Sequence, residues 1–146
     1  MDELNRVFKL IEESTEPVWI CDAQHRVVFS NEAFNAMIER TSDEILGEMP
    51  SSFLAGERTS KAEVERIWQR TDEGTPFDFG LEAYRSSGEV FIFKSFAIPF
   101  VDGDSSVPYV VAICSEKSEL DAPLMANVSP EFKKLIGDVL AMVQAS

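Results

Sequence analysis

The chain has 146 residues, 45% of them hydrophobic, and its 26 acidic against 13 basic side chains give a net charge of −13. This length fits one domain with a proper core, and the negative charge argues against direct binding to nucleic acid or to an anionic membrane surface. We see no secretory signal and no apolar run long enough to cross a bilayer, so we expect a cytoplasmic protein with reduced cysteines.

Residues 1–13 are predicted to form an amphipathic helix. Leu4, Val7, Phe8 and Ile11 recur at helical spacing and make one apolar stripe. Two interpretations fit this stripe: the helix packs on its own domain, or it pairs with the same helix of a second copy. The segment before Pro17 ends the helix, because a residue that precedes proline avoids the helical region.

Residues 18–47 predict two short strands followed by two short helices. Asn31 is well placed to cap the first of these helices, because its side chain can accept hydrogen bonds from the free amides of the first turn. Thr41 and Glu44 fit a capping box for the second helix, and Gly47 supplies a left-handed residue at its end.

A further helix is predicted from a capping box at Ser60 and Glu63 to Gly74. Three hairpin-linked strands follow, at residues 77–84, 89–101 and 108–115, with turns at 86–88 and 102–104. Two strands, then helices, then three strands predict an α+β fold. Its core is one five-stranded antiparallel sheet with short helices on one face, and amphipathic helices flank it at both ends.

The strand at 89–101 is apolar on both faces. Phe91, Phe93 and Ala97 point to one side, whereas Ile92, Phe96 and Ile98 point to the other. A sheet with one wet face alternates more cleanly, so we expect the second face to be covered by the N-terminal helix, the C-terminal helix or a partner subunit. The predicted dimer interface comprises Leu4, Val7, Phe8, Ile11, Ile92, Phe96 and Ile98.

The C-terminal region, residues 119–146, is predicted to be a linker followed by a helix. Ser129-Pro130-Glu131 is a strong helix start, and an apolar stripe runs from Phe132 to Val143. This helix either folds back on the sheet or serves signalling, by pairing with its twin or by leading to an output domain, and we favour pairing. The predicted units are thus 1–16, 17–118 and 119–146.

Asp22 after the first strand, the Asn31-Glu32-Ala33-Phe34 sequence after the second, and Asp43-Glu44-Ile45-Leu46-Gly47 occur in this order at typical spacing. With them the chain resembles the PAS family of sensor domains, up to about Lys117. The resemblance implies a sensor or regulatory domain of a signalling protein. Together with the apolar stripes of the terminal helices, it leads us to expect a homodimer that works with an output domain or a partner signalling protein.

Within that family the chain is most similar to light-oxygen-voltage flavin domains, but it departs from them at the flavin site. Pro50-Ser51-Ser52 stands where the photoreactive cysteine and, at Ser52, an arginine are expected. Two flavin-contacting glutamines of those domains correspond to Ala55 and Cys114 in this chain. Two flavin-contacting asparagines correspond to Ala83 and Phe93. A flavin ring would leave its polar edge unpaired there. The departures therefore predict a PAS domain that binds no flavin.

The resemblance implies an inward-facing pocket that would take, if any ligand, a small apolar one. Its predicted lining is Trp19, Cys21, Phe34, Met37, Phe53, Leu54, Trp68, Ala83, Phe93 and Cys114. The alternative is a ligand-free interaction module, because Trp19 and Phe93 are large enough to fill a small cavity. Cys21 and Cys114 are interpreted as buried hydrophobes, with a redox pair as the alternative.

We expect no enzyme, metal site or haem. His25 is the only histidine and lies in a turn, where a solvated side chain is the simplest interpretation. Zinc sites and Ser-His-Asp catalysis need more than one such residue in a suitable pattern. The seven glycines stand singly, so they form no phosphate cradle.

Overall fold

A computed structural model describes residues 3–103 and 105–144. The elements in chain order are α1 (Glu3–Glu12), β1 (Val18–Asp22), β2 (Val27–Ser30), α2 (Glu32–Ile38), α3 (Ser42–Ile45), a 3-10 turn (Pro50–Ser52), α4 (Lys61–Glu73), β3 (Phe77–Tyr84), β4 (Val90–Asp102), β5 (Val107–Lys117) and α5 (Pro130–Gln144). The predicted helix start at Met1, the turn residue Asp104 and the predicted end at Ser146 lie outside the described residues.

The five strands form one antiparallel sheet in the order β2-β1-β5-β4-β3. The first and last strands are neighbours, and Trp19 of β1 lies opposite Ala112 of β5. The predicted α+β architecture, a five-stranded antiparallel sheet with helices, is therefore confirmed. Helices α2, α3 and α4 and the 3-10 turn occupy the connection between β2 and β3, which places them together over one face.

The predicted helix caps are present. Asn31 Oδ1 accepts from the amide of Phe34, and Thr41 forms the predicted capping box with Glu44. Ser60 caps α4 through the amide of Glu63. The second capping box is incomplete, however, because the Glu63 carboxylate instead binds the guanidinium of Arg66 at 2.7 Å.

Asn31 also joins α1 to the sheet. Its Oδ1 accepts from Val18 N at 3.0 Å, and its Nδ2 donates to Ile11 O at 3.0 Å and to Glu16 O at 2.8 Å. The side chain is 2% exposed, so these are buried bonds, whose loss would leave backbone groups without partners. One amide thus ties the end of α1, the start of β1 and the start of α2 together.

Both faces of the sheet are buried, as the two-sided pattern of β4 predicts. The first face packs under α2–α4. The second face packs under α1 and α5, so both terminal helices cover it. The buried members of this second core are Val7, Ile11, Val18, Ile20, Ile98, Phe100, Val111, Ile113, Leu124, Phe132, Leu135, Ile136 and Val139.

The burial of this second core corrects part of the predicted dimer interface. Val7 and Ile11 are 0% exposed and Ile98 is 1% exposed within the single chain. These three side chains are therefore not available to a second copy, and the interpretation in which α1 packs on its own domain describes them. Leu4, Phe8, Ile92 and Phe96 keep partial exposure.

The inner face of α5 is likewise buried within the single chain. Phe132 and Val139 are buried against the sheet, so the apolar stripe on which the predicted pairing of this helix relied is largely used within the chain. Leu140, Met142 and Val143 stay half-buried at its margin. None of the helices in the described part of the chain is both long and apolar enough to cross a membrane.

Candidate functional site

A cavity of about 50 Å³ lies between the first face of the sheet and α4. Its floor contains Ala97 and Ala112, which are paired directly across β4 and β5. Two methyl groups side by side leave a hollow that larger residues at the same positions would fill. The register of this hairpin therefore creates the cavity.

The cavity walls are almost entirely apolar. They are formed by Trp19, Cys21, Pro50, Ser51, Leu54, Ala55, Thr59, Val64, Ile67, Trp68, Thr71, Phe79, Leu81, Ala83 and Val110. Two of the three hydroxyls are already engaged: Thr59 Oγ1 donates to Glu82 O at 2.7 Å, and Thr71 Oγ1 donates to Ile67 O at 2.8 Å. Such a lining favours a neutral, apolar occupant over a charged one.

The predicted pocket residues divide into two groups. Trp19, Cys21, Leu54, Trp68 and Ala83 line the cavity. The other five belong to the surrounding core and do not line it: Phe34, Met37, Phe53, Phe93 and Cys114. These five side chains pack in the same core as the lining residues.

The prediction missed the alanine floor and most of the α4 wall. A signal was present for both. Alternate residues of a strand share one face. The face of Ala83 therefore includes Leu81 and Phe79, the face of Phe93 includes Ala97, and the face of Cys114 includes Ala112 and Val110. Val64, Ile67 and Thr71 fall on the same helical face as Trp68.

An aromatic group supports the cavity from the side of α2. The Trp19 indole stacks on Phe34 with ring centroids 4.8 Å apart, and it meets Phe53 edge to face at 6.5 Å. Stacked and edge-to-face pairs are the favourable geometries for aromatic rings. Because Phe34 follows directly from the Asn31 cap, the position of α2 sets the position of this cavity wall.

Both cysteines are free thiols that are buried in the first core. Burial raises the pKa of the Cys21 thiol far above its usual range, and it raises the pKa of Cys114 to about 12. Ser95 Oγ donates to the Cys114 sulfur at 3.0 Å. Among residues 3–103 and 105–144, Trp19 Nε1 is buried without a hydrogen-bond partner, and its N–H near Cys114 offsets only part of the rise in the pKa of that thiol that burial causes. Neither thiol has the low pKa and access that redox chemistry needs.

Helix α4 covers the cavity but is lightly packed, since Ile67 is its one buried residue. Arg66 anchors one side of it by donating to Asp78 O at 3.2 Å. On the other side, Trp68 stacks on His25 with centroids 3.9 Å apart. The predicted solvated turn histidine is therefore wrong in part, because His25 is half-buried against α4.

Comparison with known proteins matches the model of the PAS domain family to residues 15–119. A search of curated proteins gave no match. Among solved structures, the LOV domain of the Erythrobacter litoralis EL346 blue-light activated histidine kinase has a TM-score of 0.63 at 24% identity, over 71% of this chain and 97% of that one. A variant of RsLOV has a TM-score of 0.74 at 20% identity, over 98% and 82%.

A structure from a study of a flavin analogue in a light-oxygen-voltage domain has a TM-score of 0.66 at 22% identity, over 80% of this chain and 85% of that one. Identities this low show a shared fold and no more. The match to the family model, in contrast, spans the whole sheet and the helices over its first face. On that match, the chain belongs to the PAS domain family.

Proposed function

We propose that this PAS sensor domain takes a small, neutral, apolar ligand in the cavity above Ala97 and Ala112, and that it regulates a signalling protein. The observation that carries the proposal is the cavity itself. Its walls are almost entirely apolar, and the hydroxyls of Thr59 and Thr71 are engaged by backbone carbonyls. Cavities with this character stay dry and bind apolar molecules.

The size of the cavity limits the ligand. An engineered apolar cavity of roughly 150 Å³ binds benzene or xenon, whereas this cavity measures about 50 Å³. A ligand of a few heavy atoms fits without rearrangement. A larger one requires α4 to move outward, and its single buried residue supports such movement.

The same residues do not fit a flavin. Ala83 and Ala55 present methyl groups to the cavity, and Phe93 fills the core with 0% exposure. The three-ring flavin needs polar partners at its edge and more room than the cavity offers. Each polar group left unpaired costs about 1–3 kcal/mol, so we propose that the domain binds no flavin and senses something other than light.

A second candidate function is a ligand-free interaction module, and the small volume of the cavity favours it. In this function α1, α5 and the sheet would relay assembly without a bound molecule. Leu4, Phe8, Ile92 and Phe96 are half-buried apolar side chains that a homodimer or an output domain would cover. Phe8 already stacks on Phe29 with centroids 4.6 Å apart, so its ring is held against the sheet.

The experiment that tests the first function is native mass spectrometry of the protein purified from its own host. We expect a bound neutral molecule in the wild type and none in Ala112→Leu, whose larger side chain fills the hollow. Ala62→Leu makes the same change on the exposed face of α4 and should keep the ligand. An unliganded wild type would favour the interaction module.

Loss of the ligand in Ala112→Leu is informative only if this variant is folded. Circular dichroism checks this, and Ala97→Val offers a smaller filling change at the paired floor position. Retention of the ligand by both folded variants would place the ligand elsewhere and contradict the proposed site.

A further inference from the structure

The first face of the sheet continues past the helices that cover it. Beyond the alanine floor of the cavity, the next pairs of β4 and β5 residues on this face are Pro99 with Val110 and Val101 with Pro108. Val110 still lines the cavity. Val101, in contrast, is 55% exposed, which is the highest value for a large hydrophobic side chain in the described part of the chain. The end of the β4–β5 hairpin therefore presents apolar side chains to solvent.

These side chains belong to a surface groove of about 250 Å³, the hairpin-end groove, which Pro99, Val101 and Pro108 line together with the β1–β2 turn and the end of α4. The stack of His25 on Trp68, with ring centroids 3.9 Å apart, joins that turn to α4. The groove is thus held open by contacts within the chain. A surface that is already formed loses less conformational freedom on binding.

The size of the hairpin-end groove suits side chains of a protein partner. Pockets for drug-sized molecules measure about 300–1,000 Å³ and bury most of the ligand, whereas this groove is smaller and lies on the surface. Val101 and Pro108 are both exposed, so an extended segment can place one or two side chains in the groove and continue over the hairpin.

The charge of the groove selects the kind of segment. Its lining includes the carboxylates of Asp22 and Asp72 and, among the described residues, no lysine or arginine. Asp22 Oδ1 already accepts from two amides of its own turn, which leaves the exposed Asp72 as the main carboxylate for a partner. Arg70, the arginine closest to it in the sequence, pairs instead with Glu73 at 3.1 Å. With a net charge of −13 on the whole chain, the groove attracts a basic partner.

We propose that the hairpin-end groove docks a segment of a partner protein in which apolar side chains are flanked by lysine or arginine. The apolar side chains cover Val101 and Pro108, and a basic side chain pairs with Asp72. An apolar centre with a polar rim is the usual anatomy of a protein interface. A second copy of this chain carries the same negative charge, which opposes its docking here. The inference goes beyond the proposed function, because binding at this separate surface needs no ligand in the cavity.

The probe is a capped peptide with two leucines at its centre and two lysines on each side. It is titrated into the full isotope-labelled chain, and binding is followed by NMR. Two further peptides serve as controls: one has glutamate in place of lysine, and the other has serine in place of leucine. We expect saturable shifts of the amides of Ala23, Gly74 and Val101, which line the groove, with the leucine–lysine peptide alone.

Two pairs of variants separate local charge and apolar contact from general effects. Asp72→Lys should lower the affinity for the leucine–lysine peptide by about two- to fivefold, whereas Asp121→Lys makes the same change in net charge at an exposed site outside the groove and should not. Val101→Ser should lower it by about three- to tenfold. Val90→Ser, at the other hairpin and 36% exposed, should leave it unchanged. All four positions are exposed, so these changes spare the core.

Absence of saturable shifts at the groove amides would overturn the proposal. Equal shifts with the serine–lysine peptide, or equal losses in Asp72→Lys and Asp121→Lys, would reduce the binding to general charge attraction and overturn it as well. Shifts of the same amides on concentrating the chain without peptide would assign the groove to a second copy and contradict the basic partner. None of these outcomes depends on the cavity, so the proposed function stands or falls separately.

Discussion

Replacing Asn31 by alanine tests how the terminal helix is joined to the cavity wall. The side chain accepts from the amides of Val18 and Phe34 and donates to the carbonyls of Ile11 and Glu16. It is 2% exposed, so water cannot replace these bonds without opening the structure. Asn31→Ala removes the helix cap and leaves several buried backbone groups unpaired.

The expected loss of unfolding free energy follows from these contacts. Each buried group left without a partner costs about 1–3 kcal/mol, and loss of an N-cap costs about 0.5–2 kcal/mol. Because neighbouring effects do not add fully, we expect about 3–5 kcal/mol in total. Urea unfolding monitored by circular dichroism measures this directly.

Asn35→Ala is the matched control on the same helix. Asn35 accepts from Ser30 Oγ at 2.7 Å and donates to Ser42 Oγ at 2.8 Å. Its side chain is half-buried and reaches only hydroxyls, so we expect a loss of about 1 kcal/mol. A loss in Asn31→Ala no larger than in Asn35→Ala would refute the reasoning.

Three further predictions follow from burial and charge. Cys21 and Cys114 should resist a thiol reagent at neutral pH until the protein is unfolded with urea; reaction at the rate of a free thiol would contradict their burial. Ile11→Ala should lower the unfolding free energy by about 2–5 kcal/mol, because Ile11 is 0% exposed; a change under about 1 kcal/mol would show that α1 is not docked. Glu3→Gln should destabilise the protein at neutral pH, because the hydrogen bond from the amide of Gly103 lowers the pKa of the Glu3 carboxyl from its usual range. That difference should shrink in urea unfolding as the pH falls through the lowered pKa, and a constant difference would refute it.

The sequence predicts the sheet well because its signals are local. The hairpin turns, the Asn31 cap and the box at Thr41 each depend on residues within a few positions of one another. The two apolar faces of β4 likewise predict that both sides of the sheet are covered. The apolar faces of β4 do not show which element covers each side, because an apolar stripe that packs on its own chain has the same sequence pattern as one that packs in a dimer.

The size of the cavity and the stack of His25 on Trp68 depend on contacts between distant segments, so the sequence places residues on the correct face but does not show which of them meet. Ala97 and Ala112 matter only because the β4–β5 register places them opposite each other. The stack of His25 on Trp68 needs a left-handed turn and the placement of α4 over the first face. Neither partner carries a local signal for the other.

The most direct test of the account is a crystal structure of the protein purified from its own host. We predict electron density for a compact neutral molecule above the Ala97–Ala112 pair. Density for a flavin ring system beside Phe93, or a hollow closed by side chains alone, would contradict it.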